Sequence, residues 1–521
     1  MNGRFVSILL LISISPLCRG NEHSEGEQLA RIYCSACHTF TEPELLPKRS
    51  WNFLLMYMGL RMGIEDYSPI EGGTPEEIEV IKARKTLIVD EGNFPENPMV
   101  TDEQWSKIRN YFLETAPEKS LAQPPKPKTK IGLPHFVEKQ HRYSYTAAVT
   151  TMLKIDETHG QILVGDSRIQ KLTVLDRSLQ LEAEYKTGGS LWVRSHPSED
   201  GLHVLSIGDL TGSMVNQRRG VLFYSTRIGK NFITRGSALS NLYRPADFKF
   251  GDFDGDGVDE VVVCNFGLNT GSVDIHKAKS DKWSFESEPW VRLTNETGAV
   301  ECHVADYNGD GFADVSAIFG NARENLNLFL NNGDGTFERR VIHEKYPALG
   351  YVGFRWVDFD SDGDLDVFTI SGDNVDADPY NSLKPYQGIR LYLNNGDLNF
   401  EESYFYPMYG AYGLEIEDFD LDGDLDLAAI SFNPDFNSDK PEGFVYLQNQ
   451  GSLNFTAHTF EQRRTDRWLT MDAGDFDGDG DKDIILGGGY IGAGLSIDNK
   501  ELAIKMSREG RPLLVMENQI R

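Results

Sequence analysis

The sequence predicts a multi-domain chain, a small all-α domain followed by an all-β propeller of seven blades, and three observations predict it. A nine-residue acidic phrase occurs five times, starting at residues 252, 306, 358, 418 and 475. A strand-turn-strand phrase recurs between the acidic ones, and a repeat of this length is the period of a propeller blade. Ahead of both, helix-type patterning surrounds Cys34-Ser-Ala-Cys37-His38.

Residues 1–20 read as a bacterial Sec signal peptide. Arg4 precedes the apolar run Phe5 to Ile14, and Cys18-Arg-Gly20 closes it with an exit for the peptidase. Cleavage after Gly20 is expected over lipidation of Cys18, since Pro16 and Leu17 suit the lipoprotein cut poorly. No later stretch approaches the length of a membrane span. The mature chain is therefore expected without a transmembrane segment, in the periplasm, secreted or at the cell surface.

Residues 24–117 carry the helical patterning. Cys34 and Cys37 stand one helical turn apart with His38 beside them, the spacing for covalent attachment of a c-type haem. Two thiols so placed can add to the two haem vinyl groups, and the histidine can ligate the iron. A redox Cys pair or half a zinc site fits less well, because no second Cys or His pair lies nearby and no βαβ context surrounds the motif. Ser24 to Cys37 forms the helix leading into it, and Trp51 to Met62 is an apolar helical stretch. Thr74-Pro75-Glu-Glu77 and Thr101-Asp-Glu-Gln104 are capping-box starts, and after the second Trp105, Ile108 and Phe112 make a stripe.

With the Cys-Cys-His motif as its specific signal, this segment resembles a class I cytochrome c domain. The resemblance implies that the first and last helices cross and enclose a covalent haem c, held by Cys34, Cys37 and His38. For the sixth ligand Met56, Met58, Met62 and Met99 are available. Met58 is preferred, because Gly59 would let the backbone approach the haem face, and Met99 reads as a packing residue. A thioether ligand would raise the potential, as suits an electron carrier.

Residues 118–130 contain Pro124-Pro-Lys-Pro-Lys128 and read as a semi-rigid Pro/Lys linker. The propeller then occupies 131–521. Gln161 to Gly165, Lys171 to Leu175, Leu202 to Gly208 and Gly220 to Tyr224 look like strands of two blades that lack the acidic phrase, with Asp166 and Asp209 at the places of its first residue. Two plus five gives seven blades, with six or eight as alternatives. Leu513 to Met516 is expected to close the ring against the segment from Tyr145 to Ile155.

Each acidic phrase has the composition of a calcium loop. Positions 1, 3 and 5 hold Asp252, Asp254 and Asp256; Asp306, Asn308 and Asp310; Asp358, Asp360 and Asp362; Asp418, Asp420 and Asp422; and Asp475, Asp477 and Asp479. A glycine follows each trio. Position 7 offers its carbonyl, from Val258, Phe312, Asp364, Asp424 or Asp481, and position 9 closes the shell with Glu260, Asp314, Asp366, Asp426 or Asp483. Hard oxygen ligands in this number select Ca2+, up to five ions. An EF-hand would need a glutamate at position 12, where Val263, Ala317, Thr369, Ala429 and Leu486 stand, and flanking helices, where short β-prone stretches stand instead.

The second phrase reads Leu328-Phe-Leu-Asn-Asn-Gly-Asp-Gly-Thr-Phe337, Leu391-Tyr-Leu-Asn-Asn-Gly-Asp-Leu-Asn-Phe400 and Val445-Tyr-Leu-Gln-Asn-Gln-Gly-Ser-Leu-Asn-Phe455. Together the two phrases resemble bacterial FG-GAP or VCBS repeats. That likeness implies an integrin-α-like β-propeller with calcium between the first and second strands of a blade. It is strong over roughly 245–519 and weak over 131–244.

The net charge of −29 and the lack of a basic stripe argue against nucleic acid as a partner. Cys264 and Cys302 fall in adjacent blades, as a disulfide or as buried thiols. The long loops Gly372 to Gly388, with Asp373, Asn374, Asp376, Asp378 and Tyr380, and Asn433 to Gly443 would lie opposite the calcium loops, where a protein or glycan ligand could bind. Arg244 and Arg467 could line the channel mouth. Two functions follow. One is extracytoplasmic electron transfer to a redox partner protein, with the propeller as docking module; the other is an oxidoreductase whose propeller binds or oxidises a small substrate, such as a sugar, and feeds the haem. No catalytic residue is assigned, and the absence of a dinucleotide fingerprint, a Ser/His/Asp set or a tryptophan-rich quinone repeat favours the first.

Overall fold

Middle strands such as Glu260–Asn265, Asp366–Ser371, Asp426–Ser431 and Asp483–Gly488 are buried at every residue. Runs buried without a break and apolar at their centres belong to strands covered on both faces, which a sheet packed between two other sheets provides. In this computed structural model the chain is described over residues 24–520, except 69–73, scattered positions between 76 and 93, and 187–191, 199, 209–216, 268, 374–377, 379, 439–440, 461–466, 491–494 and 496–498. The signal expected at 1–20, Asp209, Asn374, Asp376 and much of the helix expected from Thr74 lie outside these residues.

Seven sheets form a seven-bladed β-propeller. Six blades follow one another along the chain, over residues 150–186, 192–242, 245–294, 299–345, 351–407 and 411–459, each an antiparallel four-stranded meander. The seventh takes Trp468–Gly474, Asp483–Gly488 and Leu513–Asn518 from the C-terminal end and Phe136–Lys139 from the N-terminal side. The ring thus closes by the last strand, as the sequence suggests, but against Phe136–Lys139. The segment expected to pair with it, Tyr145 to Ile155, instead supplies the first strand of blade 1, Thr150–Asp156. Blades 1 and 2 are the two without acidic phrases, and their strands fall where the apolar runs place them.

The N-terminal part holds helices α1 (Glu25–Cys34), α2 (Lys48–Arg61) and α3 (Asp102–Thr115). Ser24 caps α1, and Thr101 with Gln104 forms the reciprocal box that opens α3. Trp105, Ile108 and Phe112 are buried as their spacing requires. First and last helices do cross: a Cβ on Gly26 would lie 2.4 Å from the Lys107 carbonyl oxygen, so only glycine fits. Gly59 has a similar duty, its α-carbon facing the Trp105 indole, where a Cβ would come within 3.0 Å of the ring. It admits a neighbouring helix, which corrects the reading of Gly59 as a haem-facing residue. A further helix, α4 (Lys500–Glu509), precedes the closing strand.

Residues 118–130 are laid along the propeller rather than spanning solvent. Lys126 pairs with Glu442, Thr129 Oγ1 donates to Glu442 Oε1 at 2.9 Å, and Lys130–Ile131 adds a parallel strand to the edge of blade 6. The helices also touch blade 5. Tyr380 is part of the helical core, Ser50 Oγ donates to Asp378 Oδ2 at 2.9 Å, and the Arg49 guanidinium stands 3.8 Å from the Tyr380 ring centroid. The described part of the long loop at 372–388, expected to meet an outside ligand, therefore meets this chain's own helices.

Candidate metal centres and the Cys-Cys-His segment

All five acidic phrases connect the first and second strands of blades 3 to 7. Their turn is sharp for a reason visible in the backbone. The position 6 glycines, Gly257, Gly311, Gly363, Gly423 and Gly480, all have φ between 81° and 102°, where a side chain is disfavoured. Position 4 is left-handed as well, and there two blades carry Ser361 at φ 62° and Leu421 at φ 54° in place of glycine.

The position 1 carboxylate organises each turn. Asp252 Oδ1 accepts the N–H of Gly255 at 2.8 Å and of Asp256 at 3.1 Å, and its Oδ2 accepts Gly257 N–H at 3.0 Å. Asp306 and Asp475 repeat the pattern, while Asp358 and Asp418 keep the bond to the position 6 glycine. The position 5 carboxylates Asp256, Asp310, Asp362, Asp422 and Asp479 accept the N–H of position 7, at Val258, Phe312, Asp364, Asp424 and Asp481. These bonds hold several negative groups together. Carboxylate oxygens of Asp252, Asp254 and Glu260, of Asp358, Asp360 and Asp366, of Asp418, Asp420 and Asp422, and of Asp475, Asp477 and Asp483 lie within 4.8 Å of one another in each set.

Position 9 ties the two recurring phrases together, a link that sequence spacing alone did not reveal. Oδ1 of Asp314, Asp366, Asp426 and Asp483 accepts the backbone N–H of Asn331, Asn394, Asn449 and Asn518 at 2.7 to 2.9 Å. The first three of these asparagines are those of the strand-turn-strand phrase. Asn331 and Asn518 also reach across blades, their Nδ2 donating to the carbonyls of Phe253 and Phe419 in the preceding loops. The other position 9 oxygen accepts the position 2 N–H in four loops, whereas in the loop at 418 the Tyr446 hydroxyl donates to Asp426 Oδ2 at 2.7 Å.

The donor set suits a hard dication. Burial raises the carboxyl of Glu260 to about 7, Asp314 to about 6, Asp426 to about 7 and Asp483 to about 8, and the neighbouring loop aspartates add to the rise. Asp358 Oδ1, Asp477 Oδ1 and both oxygens of Asp481 are buried without a hydrogen-bond donor. A cation bound by oxygens would relieve both conditions. Asn308 stands in for an aspartate in the second loop, where its Nδ2 donates to Asp310 Oδ2 at 2.9 Å.

Cys34 ends α1, Cys37 is exposed, and His38 is half-buried. Burial pushes the Cys34 thiol up to about 12. His38 Nδ1 lies 3.0 Å from the Thr39 carbonyl oxygen. Thr39 Oγ1 in turn donates to Glu344 Oε1 at 3.0 Å, which brings the segment against the outer strand of blade 4. Met58 is half-buried on α2, while Met56 and Met62 belong to the core on which Cys34 packs. Met99, expected to pack, is 46% exposed.

One other expectation resolves differently. Arg467 is fully buried instead of lining a channel mouth: its Nε donates to the Phe432 carbonyl at 2.5 Å and the guanidinium lies 3.6 Å from that ring's centroid. Burial lowers its pKa to about 9. Arg244 lies over Phe266, 4.9 Å from its centroid. Cys264 and Cys302 are free thiols in the core shared by blades 3 and 4.

A protein-family match falls on the same loops. The FG-GAP-like repeat family matches residues 252–317, 306–369 and 418–486, each span running from the start of one acidic phrase through the next phrase into the strand that follows it. No curated protein matches the chain. Among solved structures, BBS1N in complex with ARL6DN aligns in two crystals at 11% and 10% identity, covering 74% of this chain and 97% of that one, with TM-scores of 0.42 and 0.44. Saccharomyces cerevisiae Sqt1 aligns at 8% identity over 73% of this chain and 98% of its own, with a TM-score of 0.43. No helix among the described residues is long and apolar enough to cross a membrane. The chain carries FG-GAP-like repeats on a seven-bladed β-propeller.

Proposed function

We propose that the chain is an exported c-type cytochrome fused to a calcium-stabilised propeller, working in electron transfer outside the cytoplasm. The observation that carries the reading is the His38 segment. An Nδ1–H donated to the Thr39 carbonyl would leave Nε2 as the free, basic nitrogen, the arrangement a histidine needs to ligate iron. Cys34 and Cys37 would hold the haem covalently, and the crossing of α1 and α3 at Gly26 supports a class I cytochrome c domain. Met58 is proposed as sixth ligand, with Met56 and Met62 on the same helix as the alternatives. When bound, the haem would supply a one-electron couple. The Thr39–Glu344 hydrogen bond would tie the haem-bearing segment to the outer strand of blade 4.

The loops of blades 3 to 7 would bind calcium and fix the first two strands of each blade. In this reading the propeller positions the haem domain and docks a redox partner, and a protein or glycan is a further ligand of the propeller. The signal-like features of residues 1–20 support a location in the periplasm, outside the cell or at its surface.

The second reading, a propeller that binds or oxidises a small substrate such as a sugar, has one observation in its favour. An open groove of about 650 Å³ on blade 1 sets Arg142, Lys171, Gln180 and Glu184 beside Tyr143, Tyr145 and an apolar wall of Ile169, Leu175, Leu179 and Leu181, so that hydrogen-bonding and aromatic groups share one concave surface.

Expression with haem-attachment machinery, followed by acid extraction and an alkaline pyridine spectrum, tests the main reading. The haem should stay with the protein and be lost when Cys34 and Cys37 are both replaced by alanine. A colourless parent protein would exclude it. Reduction of the haem by a sugar without a partner protein would favour the second reading instead.

A further inference from the structure

The five loops differ at one register position. In each blade the residue after loop position 9 pairs with a residue of the third strand: Val261 with His276, Val315 with Phe329, Val367 with Tyr392, Leu427 with Leu447 and Ile484 with Met516. The next residue along the third strand is therefore equivalent in all five. It is Lys277, Leu330, Leu393, Gln448 and Glu517.

Where this residue is a long side chain with an N–H donor, it reaches the third position of its loop. Gln448 Nε2 donates to Asp420 Oδ2 at 2.6 Å. Lys277 Nζ donates to Asp254 Oδ2 and to Glu260 Oε1, the latter at 3.1 Å. Leu330 and Leu393 bring no polar side-chain atom, and Glu517 is paired with Lys139 of the neighbouring strand Phe136–Lys139. Lys277 is also held from outside, its ammonium 4.0 Å from the centroid of the Trp290 ring. A positive charge fixed between an aromatic face and two of the three converging carboxylates sits where a metal ion would need to be.

On the reading of these loops as calcium sites, we infer that Lys277 is a tethered counter-cation that competes with calcium, making the loop at 252–260 the weakest of the five, and that this third-strand position sets each loop's affinity. Calcium affinity follows the net charge and freedom of the ligands. An ammonium joined to two of them lowers both, since it has to be displaced and then repels the incoming ion at close range. The same contact offsets part of the first loop's negative charge when no metal is bound.

Calcium titration by isothermal calorimetry tests this on the full-length, calcium-stripped protein, with Lys277→Met and Leu330→Lys beside the parent. The parent should show one site clearly weaker than the rest. Lys277→Met should tighten that site by about tenfold or more, and Leu330→Lys should create a second weak one. In chelator, Lys277→Met should melt below the parent, and in calcium at or above it. If Lys277→Met does not fold, Leu330→Lys runs the same test with the opposite sign. Calcium uptake with an unchanged weakest site, or an unaffected Leu330→Lys, would overturn the inference alone. No uptake by the parent would overturn the reading of the loops and this inference together.

Discussion

Asp483 Oδ1 accepts the backbone N–H of Asn518 at 2.9 Å, so the last strand of the chain is fastened to its last acidic loop. The Asn518 side chain then donates from Nδ2 to the Phe419 carbonyl at 2.7 Å, in the loop of the preceding blade. Ring closure and loop geometry are thus parts of one hydrogen-bonded arrangement. Replacing Asn518 by alanine leaves buried carbonyls unpaired at the seam, at a cost of about 1–3 kcal/mol. Urea unfolding should show a lower midpoint with an unchanged slope.

Calcium removal should change the sign of the pH dependence of stability. Glu260, Asp314, Asp426 and Asp483 have carboxyls raised by burial to between about 6 and about 8, against about 4 in an unfolded chain. Between these values the folded protein binds more protons than the unfolded one, so its stability falls as pH rises. In chelator the melting temperature should therefore drop from pH 5 to pH 8. With calcium the charged carboxylates are ligands, and the melting temperature should hold or rise over the same range. Equal curves with and without calcium would refute metal binding at these groups.

Leu421 spends a left-handed conformation on a residue that resists it. Its side chain is 55% exposed, so little packing is lost on removing it. Leu421→Gly should stabilise the protein by about 1 kcal/mol, read as a rise in melting temperature. The same change at Asp420, its neighbour in the loop, should do the opposite in calcium by deleting a ligand.

Asp378 joins the two halves of the chain. Its Oδ2 accepts from Ser50 Oγ at 2.9 Å, and its carboxylate also receives the N–H groups of Tyr380 and Ser382. Asp378→Ala should cost about 1–3 kcal/mol and should expose residues 118–130 to limited proteolysis sooner than in the parent. Cleavage there that releases two folded fragments would show that the helices and the propeller each fold alone.

The blades were legible because their signals are local. Asp252 to Glu260 and its four repeats contain the whole turn, including the glycine that the left-handed position 6 demands, and Leu328-Phe-Leu-Asn-Asn contains the strand and the residue that meets Asp314. What escaped depends on partners distant in sequence. Phe136-Val-Glu-Lys139 has no strand-like alternation beyond its first residue, and only the exposed edge of Leu513–Asn518 makes it a strand. Arg467 looked like a surface cation, because nothing near it in sequence announces the Phe432 carbonyl and ring that receive it. The Pro/Lys stretch read as free because its partner, Glu442, is over three hundred residues away. Left-handed backbone at position 4 was hidden by Ser361 and Leu421, residue types that do not advertise it.

The pairing of Phe136–Lys139 with Leu513–Asn518 also governs the order of events during synthesis. A strand made early has to wait, unpaired, until nearly the whole chain has emerged. Contacts this distant in sequence form slowly, and until then two open strand edges are available to other molecules. A chain stalled or clipped before Leu513 keeps both edges, so quality control can recognise an unfinished copy of this protein by its adhesive ends, however well its first six blades have formed.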